Sequence, residues 1–232
     1  MLKTVNRLLV NRLLKKRAFL FYVFINLCFF CLLPKIGVAE AGLVPAPTQQ
    51  APTIVVLGDS LSAGFGVEQD KGWVNLLQTR LRQNHYPHRV VNASISGETT
   101  SGGLSRIAEI LAEFKPQIIL IELGGNDGLR GLPIQLIRDN LAKIIQHCLQ
   151  KNITMLIIGM QLPPNYGPTY TQQFAAIYHE LSEQYHIALV PFLMQGFANN
   201  PELIQSDGIH PKAEAQGLML ENVWPQLKPL LK

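Results

Sequence analysis

From Thr53 onward, short apolar runs rich in β-branched residues alternate five times with longer stretches of helical period. The short runs span 53–57, 89–92, 117–122, 153–159 and 187–191; the longer ones lie near 72–83, 103–114, 133–150, 169–184 and 212–230. In the third long stretch, Leu136, Ile137, Asn140, Leu141, Ile144, Ile145 and Cys148 recur at intervals of three and four, as one half-buried helical face requires. The runs 118–121 and 155–158 are apolar on both faces, a pattern that belongs to the middle of a parallel sheet covered by helices. The alternation predicts an α/β protein, a three-layer α/β/α sandwich, with one domain over 53–232. A span of about 180 residues suits a single unit of this class.

Open parallel sheets place their sites beyond the carboxyl ends of the strands, so the segments that follow each run carry the functional information. Gly58-Asp59-Ser60-Leu61-Ser62 follows the first, and Asn92-Ala-Ser-Ile-Ser-Gly97-Glu98-Thr99 the second. Gly124-Gly125-Asn126-Asp127 follows the third, and Asp207-Gly208-Ile209-His210-Pro211 precedes the last helix. A serine hydroxyl is a weak nucleophile until a base takes its proton and an acid orients that base. Ser60, His210 and Asp207 supply these three chemistries, with Asp207 and His210 three residues apart and Pro211 expected to open the final helix. The Ser60 N–H, the Gly97 N–H and the Asn126 side-chain amide are candidate donors to an oxyanion. Asp59 is read as shaping the turn around Ser60. Singly, each residue type has an ordinary structural use as a helix cap, a turn or a surface loop. Their joint occurrence at successive strand ends of one sheet is what points to acyl-transfer chemistry.

These blocks resemble the SGNH, or GDSL, hydrolase family, named for the residues that here are Ser60, Gly97, Asn126 and His210. The likeness extends through 90–97, 122–131, 162–167 and 206–211, and is closest to the bacterial periplasmic acyl-CoA thioesterase I, lysophospholipase and arylesterase group. It implies a flavodoxin-like sheet of five parallel strands, a Ser60-His210-Asp207 triad, and an oxyanion hole formed by Ser60, Gly97 and Asn126. It also implies that the segment 162–170, with Leu162, Pro163 and Tyr166, lines an acyl-binding cleft. A carbohydrate O-deacetylase of the same family is the alternative enzyme, and a non-catalytic flavodoxin-like binding module the alternative from another class. The Gly-x-Ser-x-Gly elbow of lipases is absent, because Ser62 stands at its last position.

The formal charge of +4 would invite a nucleic-acid reading were it evenly spread. Seven of the 20 basic residues but only one of the 16 acidic ones lie in 1–41, leaving 13 basic and 15 acidic for the rest. The body is slightly acidic and has no basic stripe with interleaved aromatics, so nucleic acid is not an expected partner. The basic residues of 1–17 precede an apolar run at 18–33, then Pro34 and the small residues of 37–41: the layout of a secretory signal peptide. The run is shorter than the roughly 20 residues of a comfortable membrane span, with an uncleaved anchor as the alternative. A Pro-rich linker over 42–52 follows, and the localisation expected is periplasmic or secreted. Cys148, the one cysteine outside the leader, reads as a buried, inert thiol. His85, His88, His147, His179 and His186 have no partners at metal-ligand spacing, so neither a metal nor another cofactor is expected. The partner expected is a small-molecule acyl ester or thioester, with transient lipid contact, and the chain is expected to act as a monomer.

Overall fold

The computed structural model describes residues 51–231; the leader (1–41) and nearly all of the linker lie outside the described residues. β1 (Thr53–Gly58) runs into a single helical turn, α1 (Ser60–Ala63), and then α2 (Trp73–Gln83). β2 (Arg89–Asn92) leads through α3 (Thr100–Phe114) to β3 (Ile118–Glu122), a short α4 (Gly125–Leu129) and α5 (Ile134–Leu149). β4 (Thr154–Ile158), α6 (Pro168–Tyr185), β5 (Ala188–Val190) and α7 (Ala213–Leu227) complete the domain. All five strands pair in parallel, in the order β2-β1-β3-β4-β5. α3, α5 and α6 pack side by side as one helical layer, and α2 packs on α7 in the other. The expected three-layer, flavodoxin-like α/β/α sandwich is the observed fold.

Every residue of β1 and β3 is buried, as expected for strands with helices on both faces. Fully burying a Val, Leu or Ile side chain is worth roughly 1.5–3 kcal/mol, so these two strands contribute heavily to the hydrophobic core. The order of the strands reverses at their carboxyl ends: the chain steps from β1 out to β2, then crosses back to β3 on the other side. That switch point opens the crevice in which Ser60 lies.

Three local expectations are corrected. Leu136 is 44% exposed and stands outside the buried stripe of α5. α3 starts at Thr100, three residues early, because the Thr99 hydroxyl caps it by accepting from Gly102 N at 3.2 Å. Pro211 does not open α7, which begins at Ala213; Pro211 is buried and pairs with Ile204 in an antiparallel bridge. Cys148 is fully buried in α5, and burial pushes its thiol pKa up to about 12, which leaves no thiolate at neutral pH.

Candidate active site

Asp59 follows β1 directly, and its Oδ1 accepts the Leu61 N–H at 3.0 Å, capping α1 so that Ser60 is its first residue. The approach is tight. A Cβ on Gly58 would sit 2.6 Å from Glu122 Oε2 and 2.8 Å from Ser62 Oγ, so only glycine fits there. Glu122 closes the turn from below, its Oε2 accepting the Ser62 hydroxyl at 2.6 Å and the Asp59 N–H at 3.3 Å. Complete burial, and then the neighbouring Asp59 charge, push the Glu122 pKa well above its ordinary value. Burial also pushes Asp59 up, to about 6, against the pull of the Leu61 N–H and His210.

The histidine arrives on a tight loop. Lys212 N donates to Leu203 O at 2.8 Å, Gln205 N to His210 O at 2.8 Å and Gly208 N to Gln205 O at 3.0 Å. Asp207 Oδ1 accepts the backbone N–H groups of Ile209 (2.9 Å) and His210 (3.0 Å), while Oδ2 lies 2.6 Å from His210 Nδ1. The His210 N–H, with Ile209 N–H and the imidazole behind it, lowers the Asp207 pKa to about 2. An ionised acceptor at Nδ1 fixes the proton there and turns the Nε2 lone pair outward. Nε2 lies 2.8 Å from Ser60 Oγ. Gln205 ties the loop to the nucleophile turn, its Nε2 donating to Phe65 O at 2.8 Å and Pro211 O at 3.0 Å. The half-exposed Phe65 ring lies 4.5 Å from the imidazole, centre to centre.

The second and third loops close on the same crevice. Ile95 N donates to Gly58 O at 3.0 Å, which draws the loop after β2 alongside Ser60. Arg106 braces that loop by pairing with Glu98 at 2.6 Å and donating to Ala93 O at 3.1 Å. Gly97 holds φ +81°, with nothing within 4 Å of where a Cβ would stand, so backbone conformation rather than space demands glycine. Among the described residues, neither the Ser60 nor the Gly97 N–H has an acceptor. Asn126 Nδ2 donates to Glu98 O at 2.9 Å and to Asp59 Oδ2 at 3.2 Å. Its neighbour Asp127 is buried and accepts both the Thr100 N–H (2.9 Å) and hydroxyl (2.6 Å), with Asn140 Nδ2 donating to the same hydroxyl at 3.1 Å. This clamp fixes α4, and with it Asn126, to the start of α3.

The structure thus brings Ser60, Gly97, Asn126, Asp207 and His210 to one crevice. Of the acyl-cleft candidates, Leu162 lies over Gly128 and Tyr166 donates its hydroxyl to Leu129 O at 2.9 Å, both against the helix that carries Asn126. Pro163 is exposed. His85, His179 and His186 are exposed and His147 half-buried, whereas His88 is buried with Nε2 3.1 Å from Gln117 Oε1. Among the described residues no group of three or more His, Cys, Asp or Glu side chains could hold a metal ion. Sequence reasoning missed Glu122, Asp127, Thr100, Asn140, Gln205 and Phe65. A carboxylate closing the apolar run of β3 was the one visible signal among them; the rest act through contacts distant in sequence.

Residues 56–218 match the GDSL-like Lipase/Acylhydrolase family. The chain belongs to this family. This GDSL hydrolase is 50% identical over 186 residues to "Esterase TesA" of Pseudomonas aeruginosa, covering 79% of this chain and 92% of that protein. It is 40% identical over 181 residues to "Thioesterase 1/protease 1/lysophospholipase L1" of Escherichia coli K12, covering 78% and 86%. Among solved structures it resembles the psychrotrophic esterase EstA from Pseudoalteromonas sp., inhibited by monoethylphosphonate. There the TM-score is 0.74 and the identity 38%, with 77% of this chain and 98% of that one covered. The motif resemblance is borne out, and the GDSL protein is an ester hydrolase.

Proposed function

We propose that this GDSL hydrolase is a serine esterase and thioesterase acting on acyl thioesters, aryl esters and lysophospholipids. The observation that carries the reading is the hydrogen-bonded chain Ser60 Oγ–His210–Asp207, at 2.8 and 2.6 Å. His210 Nε2 takes the Ser60 proton as Oγ attacks the acyl carbonyl carbon. Asp207 stabilises the imidazolium that forms. The oxyanion of the tetrahedral intermediate is met by the Ser60 and Gly97 N–H groups and the Asn126 amide, donors typically worth a few kcal/mol each. His210 then protonates the departing alkoxide or thiolate. It next draws a proton from water, which attacks the acyl-enzyme, and returns that proton to Ser60 Oγ as the acid leaves. Thiolates and alkoxides leave more readily than amide nitrogens, so esters and thioesters are the favoured substrates over peptides. Leu162 and Tyr166, which pack against the helix carrying Asn126, and the exposed Pro163 between them are the proposed contacts for the acyl chain. The protein acts as a monomer, with transient lipid contact when the substrate is a lysophospholipid.

The basic leader, apolar run and small-residue exit support export to the periplasm or medium. Among the described residues no helix is long and apolar enough to cross a membrane. The experiment that tests the reading is a panel of long-chain acyl-CoA, lysophospholipid, p-nitrophenyl ester and acetyl-sugar substrates, with Ser60→Ala as the blank. The expected result is thioester and aryl-ester turnover that Ser60→Ala loses. Retained turnover by that folded variant refutes the triad, and acetyl-sugar turnover alone favours the deacetylase.

A further inference from the structure

Asp59 lies between two parts of the site that the reaction must hold in register. Its oxygens serve different elements: Oδ1 accepts the Leu61 N–H of the helix that carries Ser60, and Oδ2 accepts from the Asn126 amide at 3.2 Å. The second acceptor for that amide is Glu98 O, at 2.9 Å. The amide is therefore held unequally, firmly toward the β2 loop and more loosely toward the nucleophile turn. The carboxylate is only 3% exposed, an environment that opposes its charge. Capping alone does not call for that charge, because a neutral Asn caps a helix as well as Asp does.

Resting on the triad reading above, we infer that Asp59 is a positioning residue that aims the Asn126 amide at the oxyanion formed on Ser60. The Asp59 carboxylate holds one N–H of the amide on the nucleophile side while Glu98 O holds the other, and the two acceptors together set the amide plane. The longer, 3.2 Å bond is one whose hydrogen is readily shared with an oxyanion beside Ser60, so the amide stabilises the intermediate without turning.

Asp59→Asn isolates this role. The Asn carbonyl retains the cap on Leu61, but its NH2 then faces the NH2 of Asn126 and the clamp is lost. The measurement is kcat and KM on p-nitrophenyl butyrate for wild type, Asp59→Asn, Asn126→Ala and the double variant, with Ser60→Ala as blank and thermal unfolding to verify folding. Asp59→Asn is expected to lower kcat by about 10–100-fold, below the loss typical of removing an oxyanion donor outright, with KM changed less than about threefold. In the Asn126→Ala background, Asp59→Asn should cost less than about threefold more, since its route of action is gone. Losses that multiply, or an Asp59→Asn kcat within about threefold of wild type, overturn the inference and leave the triad standing. An active Ser60→Ala overturns the triad reading itself. Should Asp59→Asn fail to fold, Asp59→Ser, which also caps, is put through the same cycle and judged by the same outcomes.

Discussion

Replacing Asp59 by Asn should make the protein gain stability relative to wild type as pH rises from 4 to 8, although it slows the reaction. The Asp59 pKa rises from 3.8 to about 6, chiefly through burial. At 1.36 kcal/mol per pH unit, the charge costs the folded state roughly 3 kcal/mol once it is fully ionised. The sign follows from proton counting. Between about pH 4 and 6 the folded protein holds more of this proton than the unfolded chain, so stability falls as pH rises through that window. Above about 6 the whole cost is present; below about 4 both states are protonated and it vanishes. An Asn has the shape of the neutral acid and escapes the cost. The assay is urea unfolding of wild type and Asp59→Asn at pH 4, 5, 6, 7 and 8, read as the difference between the two. That difference should move by roughly 3 kcal/mol in favour of the variant between pH 4 and pH 8, or roughly 6–12 °C in Tm for a domain of this size, on top of a pH-independent offset from the lost bond to Asn126. A difference that does not change with pH, or one that moves against the variant as pH rises, would contradict this linkage.

Gly58→Ala would set a methyl group 2.6 Å from Glu122 Oε2 and 2.8 Å from Ser62 Oγ, in the turn that delivers Ser60. Overpacking of this kind costs about 1–3 kcal/mol, and urea unfolding within about 0.5 kcal/mol of wild type would contradict it. Asp207→Asn should lower kcat by about 10³–10⁴-fold with little change in KM, because the amide no longer enforces the Nδ1–H tautomer. A loss below tenfold on a p-nitrophenyl ester would count against the orienting role. Because hydrogen bonds depress the Asp207 pKa to about 2, its support for the fold is complete above pH 4 and fades only as pH falls toward 2. Any acid limb in the rate between pH 4 and 8 must then come from another group, and the Asp207→Asn profile tests this by keeping its limb.

The layered fold was legible because the apolar runs at 118–121 and 155–158 lack the alternation of a half-exposed strand, which leaves a covered parallel sheet. That topology in turn identified which segments to read for chemistry, and Ser60, Gly97, Asn126, Asp207 and His210 do meet at the switch point. What stayed hidden depends on contacts that no local pattern records. Asp127 reads as part of a Gly-rich turn, and its burial follows from Thr100, which another stretch of the chain brings to it. Glu122 reads as the polar end of a strand, and the upward push on its pKa follows from burial beneath Gly58 and Ser62. Pro211 suggested a helix start by local preference, but pairing of Ile204 with Pro211 holds it in the loop that carries His210.

Mass spectrometry of the protein after treatment with a p-nitrophenyl alkylphosphonate tests the central claim most directly. The expected result is one phosphonyl adduct per chain, on the peptide containing Ser60, formed in proportion to loss of esterase activity and absent from Ser60→Ala. An adduct on a different residue, or full inactivation with Ser60 unmodified, would contradict it.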